Sequence, residues 1–533
     1  MPGSAENAPA QKPPPGIGRS ATLVAAGIFL SKIAGLARVH FLARYFGASD
    51  VADVFGAAIR IPNILQNLFG EGVLSASFIP VYARLRALGQ DEEASDVADA
   101  VATLLALVTS VLVLAGVFAT PYIIDVIAPG FHGAKRDLTI RLVRIFFPGA
   151  GLLVMSAWCL GILNSHRKFF LSYAAPVAWN GVIIATLLIF GHSHAENKLA
   201  EITAWGSVVG SGLQLGVQVP VALRLVRRLR VQLGLSLAPV REVLRNFFPV
   251  LVSRGVVQLS AYIDSMIATL LPTGAVAVLG YAQNLYILPV SLFGMSVSAA
   301  ELPAMSGALG SESEIAAQLR SRLGRALRQI AFLVVPSAVA FLALGDIVAA
   351  VIYQSGRFTH ADAVYVWGVL AGSAVGLLAS SLGRLYSSTY YALRDTRTPL
   401  RFAIVRVTLT TILGLFCALK LPQMIGISRS WGVAGLTASA GVAGWAEFLL
   451  LRWKLHKRIG AVQPESAFLA KLWGSAAISA AAAWGIRIVI GHHRPLLMAV
   501  VILLPYGIVY FAVTSLLKIP EAQLVMGRLK RMF

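Results

Sequence analysis

Acidic residues, cysteine and charge of either sign are all scarce in this sequence. Of 533 residues, 24 are Asp or Glu against 45 Lys or Arg; charged residues make up 13% of the chain and hydrophobic residues 57%. A water-soluble chain of this length with so few charges would carry more apolar surface than it could cover. The composition therefore places the protein in a lipid bilayer. Its two cysteines, Cys159 and Cys417, sit inside apolar stretches with no Cys or His at metal-ligand spacing, which excludes a disulfide framework and a zinc site. No Asp-x-Asp occurs, and the only adjacent histidines are His492-His493, so the acidic or histidine clusters of a membrane glycosyltransferase are missing. The net charge of +21 comes without a basic run interleaved with aromatics, so no nucleic acid is expected as a partner.

What the chain does have is apolar length. Residues 1–17, "MPGSAENAPAQKPPPGI", read as a polar, proline-rich, disordered tail. After it, stretches long enough to cross a hydrocarbon core of about 30 Å recur fourteen times, among them 20–46, 53–80, 248–271 and 276–304. The pattern predicts an all-α integral membrane protein of about 14 transmembrane helices in two pseudo-repeated halves. The N-lobe spans 18–230 (spans 1–6) and the C-lobe 231–455 (spans 7–12), followed at 456–533 by spans 13–14 and a basic tail.

The cations divide by position. Even-numbered connections and both tails hold 27 Lys and Arg, and odd-numbered connections hold eight. Lys and Arg accumulate on the cytoplasmic side of membrane proteins, so both termini are expected there. Ten basic residues remain within or at the ends of spans. Arg44, Arg144, Arg384, Arg406, Lys420 and Lys471 lie within reach of a span end and are expected to snorkel. Lys32, Arg38 and Arg254 lie deeper, and a water-filled cavity is the expected reason. Internal echoes support two related halves. "ILNSHRKF" (162–169) pairs with "ALRDTRTP" (392–399), setting Leu163 on Leu393 and Arg167 on Arg397, while Ser31-Lys32 meets Ser253-Arg254. Transporters built of such repeats bind substrate at the repeat interface.

The stretch "ARYFGASDVADVFGAAIRIPNILQNLFGEGVLSASFIPVY" (43–82), with "APGF" (128–131), "LPAMS" (302–306) and "YQSGRFT" (353–359), resembles the MurJ (MviN) lipid II flippase family of the MOP flippase superfamily. The resemblance covers essentially the whole chain and implies a MOP/MATE-like arrangement of helices around a central cavity. It also implies a transporter, not an enzyme, in the bacterial cytoplasmic (inner) membrane. Such a protein moves the undecaprenyl-diphosphate-linked peptidoglycan precursor from the inner to the outer leaflet by alternating access. The implied partners are that precursor, membrane lipids and the cell-wall synthesis machinery; the chain is expected to act as a monomer. No cofactor or metal is implied, and coupling to a Na+ or H+ gradient or to the membrane potential stays open.

The family's basic residues on spans 1, 2 and 8 bind the diphosphate. Lys32 and Arg38 match the span-1 pair, with Arg60 a further cation on span 2. This chain departs elsewhere: Val39 stands where an acid is usual, Gln66 at the span-2 basic position, and Ala282-Gln283-Asn284 at the span-8 element. Arg254, with Gln283 and Asn284 as hydrogen-bonding groups, is the expected replacement. Asp53 and Glu71 are supporting acids, expected to partner Arg60 or Arg38, and Asp264 is the candidate cation site. These departures keep an alternative open: a flippase for another polyprenyl-diphosphate glycan, or a cation-coupled exporter of the same superfamily.

Overall fold

The computed structural model describes residues 17–226, 230–307, 311–462, 466–491 and 494–523, with the side chains at 17–25, 71 and 252–261 outside the description. Expectations that fall outside it are those for Arg254, for the Glu71 side chain, for most of the N-terminal tail and for the basic tail beyond 523.

Every regular element among the described residues is helical. In order they are α1 (Ile17–Phe46), α2 (Asp50–Phe69), α3 (Glu71–Ala87), α4 (Asp91–Ile127), α5 (Gly133–Ser165), α6 (Phe169–Ala174), α7 (Pro176–Phe190) and α8 (Glu196–Val226). Then follow α9 (Ala238–Thr269), α10 (Ala275–Pro289), α11 (Ser296–Ser306), α12 (Glu312–Tyr353), α13 (His360–Ala392), α14 (Arg397–Leu415) and α15 (Leu421–Met424). The chain closes with α16 (Gly432–Ile459), α17 (Ser466–Ile490) and α18 (Pro495–Leu516). In hydrocarbon a backbone must satisfy its own hydrogen bonds, which helices do within one segment. Thirteen stretches among the described residues are long and apolar enough to cross a membrane. The seventh expected span, 248–271, lies on α9, which is not among those thirteen and has its middle side chains outside the description.

The chain clusters into two compact units, one of residues 1–38, 58–120 and 140–258, the other of 39–57, 121–139 and 259–533. Within the first, α7 packs on α8. A second seam joins α3, α4 and α5, where Phe78, Tyr82, Val97, Trp158 and Ile162 are buried together. Within the second, α13 is the central helix, packed between α12 and α16. Gly376 and Gly441 face each other there so closely that a side chain on either would strike the other's backbone. Small residues allow such approach, and in lipid it supplies packing that the hydrophobic effect cannot.

The two segments expected to echo each other share a backbone feature. Arg167 and Arg394 both adopt φ 58°, each just past a helix end. The amides flanking them bond identically: Arg167 N–H to Asn164 and Lys168 N–H to Leu163, and Arg394 N–H to Tyr391 and Asp395 N–H to Tyr390. Both segments thus end a helix in the same left-handed turn, placed at Arg167 and Arg394.

Candidate functional site

On α1, Lys32 is exposed and Arg38 is half-buried. The Arg38 guanidinium lies over the indole of Trp179 on α7, 4.6 Å from the ring centroid. The Trp179 N–H donates to the Oγ and carbonyl of Ser207 on α8, at 3.0 and 3.1 Å. The ring is thus pinned at its edge and offers its face to the cation. Arg38 Nε is buried with no hydrogen-bond partner among the described residues, and no carboxylate among them pairs with it. An Arg in a membrane helix costs about 2.5–3.5 kcal/mol at the bilayer centre, and a cation–π contact returns about 0.5–2 kcal/mol. Among the described residues nothing else offsets this charge.

Gln66, at the position where the family carries a cation, lines a cavity of about 520 Å³ within the first unit. Its other polar walls include Ser75, Ser156, Ser172, Gln214 and Gln218. Gln214 Nε2 donates to Ser156 Oγ at 2.9 Å, and Ser156 Oγ donates to Gln218 Oε1 at 2.6 Å. All three side chains are buried. Trp179, Ser156, Gln214 and Gln218 were not singled out from sequence. Two glutamines one turn apart in the sixth span were the signal available for the last pair.

Other expected residues take different places. Arg60 and Asp264 are half-buried, on α2 and α9. Gln283 and Asn284 are exposed on α10, and Asn284 Nδ2 donates back to the Gly280 carbonyl of its own helix at 2.8 Å. Asp53 requires a correction, because its ionic partner is Lys135, at 2.8 Å, and not Arg60 or Arg38. Asp53 also accepts the Gly274 and Ala277 amides at 2.8 and 2.9 Å. It therefore caps the start of α10, where helix amides lack acceptors and the dipole favours an anion. Around this cap other family-like motifs also serve as joints. Tyr281 Oη donates to the Gly47 carbonyl at 2.9 Å, Tyr353 Oη to the Tyr281 carbonyl at 3.1 Å, and the Arg357 amide to the Arg44 carbonyl at 2.8 Å.

Two of the cations expected to snorkel also have protein partners. Arg406 pairs with Glu447 at 3.1 Å, and Arg144 Nε donates to the Val117 carbonyl at 3.3 Å. Glu447 lies on α16, where a partner 41 residues along the sequence is invisible to a scan of span ends.

The sequence model of the family described as "Lipid II flippase MurJ" matches residues 42–508. A curated relative from Burkholderia cenocepacia, "Lipid II flippase MurJ", is 31% identical over 464 residues, covering 85% of this chain and 86% of its own. Among solved structures, "Lipid II flippase MurJ, inward closed conformation" superposes with a TM-score of 0.75 at 23% identity, covering 93% of this chain and 98% of that one. An inward-facing MATE family transporter of the MOP superfamily superposes with a TM-score of 0.62 at 16% identity, over 82% of this chain and 98% of that one. Those two likenesses establish the fold.

Proposed function

Since the chain belongs to the MurJ family of lipid II flippases, we propose that it carries the lipid-linked peptidoglycan precursor across the bacterial cytoplasmic membrane by alternating access, with both termini cytoplasmic. The physical problem is the diphosphate, an anion that hydrocarbon will not admit without countercharge. In this reading Arg38 is the principal anchor, helped by Lys32 and Arg254. The carrying observation is that Arg38 holds a charge inside an apolar helix with an aromatic face beneath it and no acid beside it among the described residues. A guanidinium also offers paired donors that fit phosphate oxygens.

The test is replacement of the resident flippase in a depleted bacterium, with lipid II scored by its accessibility at the outer leaflet. The wild-type chain is expected to restore flipping. Arg38→Ala at equal membrane abundance should lower it about tenfold or more, the scale of one lost charged hydrogen-bonding group, and Arg38→Lys should retain part. Full rescue by a chain carrying Lys32→Ala, Arg38→Ala and Arg254→Ala together would overturn the cationic mechanism.

A further inference from the structure

Among the described residues, the cavity lined by Gln66, Ser75, Ser156, Ser172, Gln214 and Gln218 has no Lys, Arg, Asp, Glu or His in its walls. A diphosphate entering it would find no countercharge, and the carboxylates of a peptide would fare no better. A lipid tail would strand the polar wall atoms without partners, which hydrocarbon cannot supply. What matches such a lining is a neutral group that both donates and accepts hydrogen bonds, as sugar hydroxyls and acetamido groups do.

The wall is built and not incidental. Ser156 accepts from Gln214, so its single hydrogen goes on to Gln218 Oε1. That relay fixes the Gln218 amide by its oxygen and leaves Nε2 buried with no partner among the described residues. A buried donor without an acceptor is rare and calls for an explanation. Nε2 itself has no accessible surface, and the residue that carries it lines a half-open space of about 520 Å³, within the range of small-molecule sites.

We propose that this cavity is a subsite for an uncharged, N-acetylated sugar of the transported headgroup. The inference rests on the lipid II flippase reading and adds a division of labour to it. Cations hold the diphosphate, and a separate set of amides and hydroxyls reads the glycan. The neutral Gln66 then suits a wall that faces sugar.

The experiment uses the full chain in nanodiscs and two probes, undecaprenyl diphosphate bearing a single N-acetylglucosamine and bare undecaprenyl diphosphate, with binding read by native mass spectrometry. The wild type should prefer the glycosylated probe by about tenfold or more, the worth of a few hydrogen bonds in a buried site. Gln218→Leu and, independently, Ser156→Ala should cut that preference to a few-fold while leaving the affinity for the bare probe unchanged. Gln66→Leu, at a half-buried position, supplies a third variant should either buried change fail to fold. Arg38→Ala should weaken both probes alike. Equal wild-type affinity for the two probes, or variants that weaken both together, would overturn the sugar subsite and leave the flippase reading standing. Failure of the wild type to hold either probe would sink both.

Discussion

Two aspartates three residues apart, Asp50 and Asp53, both meet Lys135, at 2.7 and 2.8 Å, yet their surroundings differ. The Asp50 side chain is 59% exposed and the Asp53 side chain 1%. Exposed pairs contribute about 0–1 kcal/mol, whereas breaking a buried one costs about 3–5 kcal/mol because it strands the remaining charge. Asp53→Asn should therefore lower the melting temperature of the purified protein several times more than Asp50→Asn, since it also weakens the cap on α10. Equal shifts would show that the cap is unimportant. At this scale the sequence was half legible. Arg38 stood out because a charge in an apolar run demands a reason, and Asp53 stood out for its motif. The Asp53 partner did not, because Lys135 looked like one more loop cation and only the fold brings it across 82 residues.

Helix ends carry information that composition hides. Three non-glycine residues have left-handed backbones, Arg167, Arg394 and Lys518, and each ends a helix with the same pair of reversed hydrogen bonds. Gly89 closes α3 in the same way at φ 74°. Glycine is the usual occupant of such a position because a side chain there costs about 1–2 kcal/mol. All three cations lie in the connections or tail that hold the basic excess, so charge has taken precedence over backbone ease. A cation at a helix C-terminus also recovers about 0.3–1 kcal/mol from the dipole. Relief of strain should exceed that loss, so Arg394→Gly is expected to raise the melting temperature by one to a few degrees, measured against wild type in the same detergent. A fall would mean the Arg394 charge outweighs the strain. The connection after α5 has a further tie: Arg86 donates to His166 Nδ1 at 3.1 Å, and Tyr82 meets Nε2 at 3.0 Å. Burial, then the Arg86 charge, hold that imidazole below its ordinary pKa and therefore neutral at pH 7. None of this was legible as spacing, because a left-handed residue leaves no mark on hydrophobic periodicity.

For the whole molecule, fold class followed from the composition alone, since 57% hydrophobic residues in span-length runs have few other homes. Which helices neighbour which did not follow, because seams such as Gly376 against Gly441 use backbone proximity and not apolar pattern. Orientation belongs to this scale, and it rests on the uneven division of cations between alternate connections, 27 against eight. With only Cys159 and Cys417 to remove, single-cysteine labelling can test it. On a background of Cys159→Ala and Cys417→Ala, new cysteines belong at exposed connection residues: Ser193 and Ser428 on one side, Gln90 and Thr396 on the other. A membrane-impermeant maleimide applied to intact cells, with the outer membrane permeabilised where there is one, should label Ser193→Cys and Ser428→Cys. It should reach Gln90→Cys and Thr396→Cys only after the inner membrane is opened. The reverse pattern would place the basic excess outside, against the cytoplasmic preference of Lys and Arg, and would turn the direction of proposed transport around. A mixed pattern, with Ser193 and Ser428 on opposite sides, would instead break the span count between them and with it the assignment of α9 as a crossing helix.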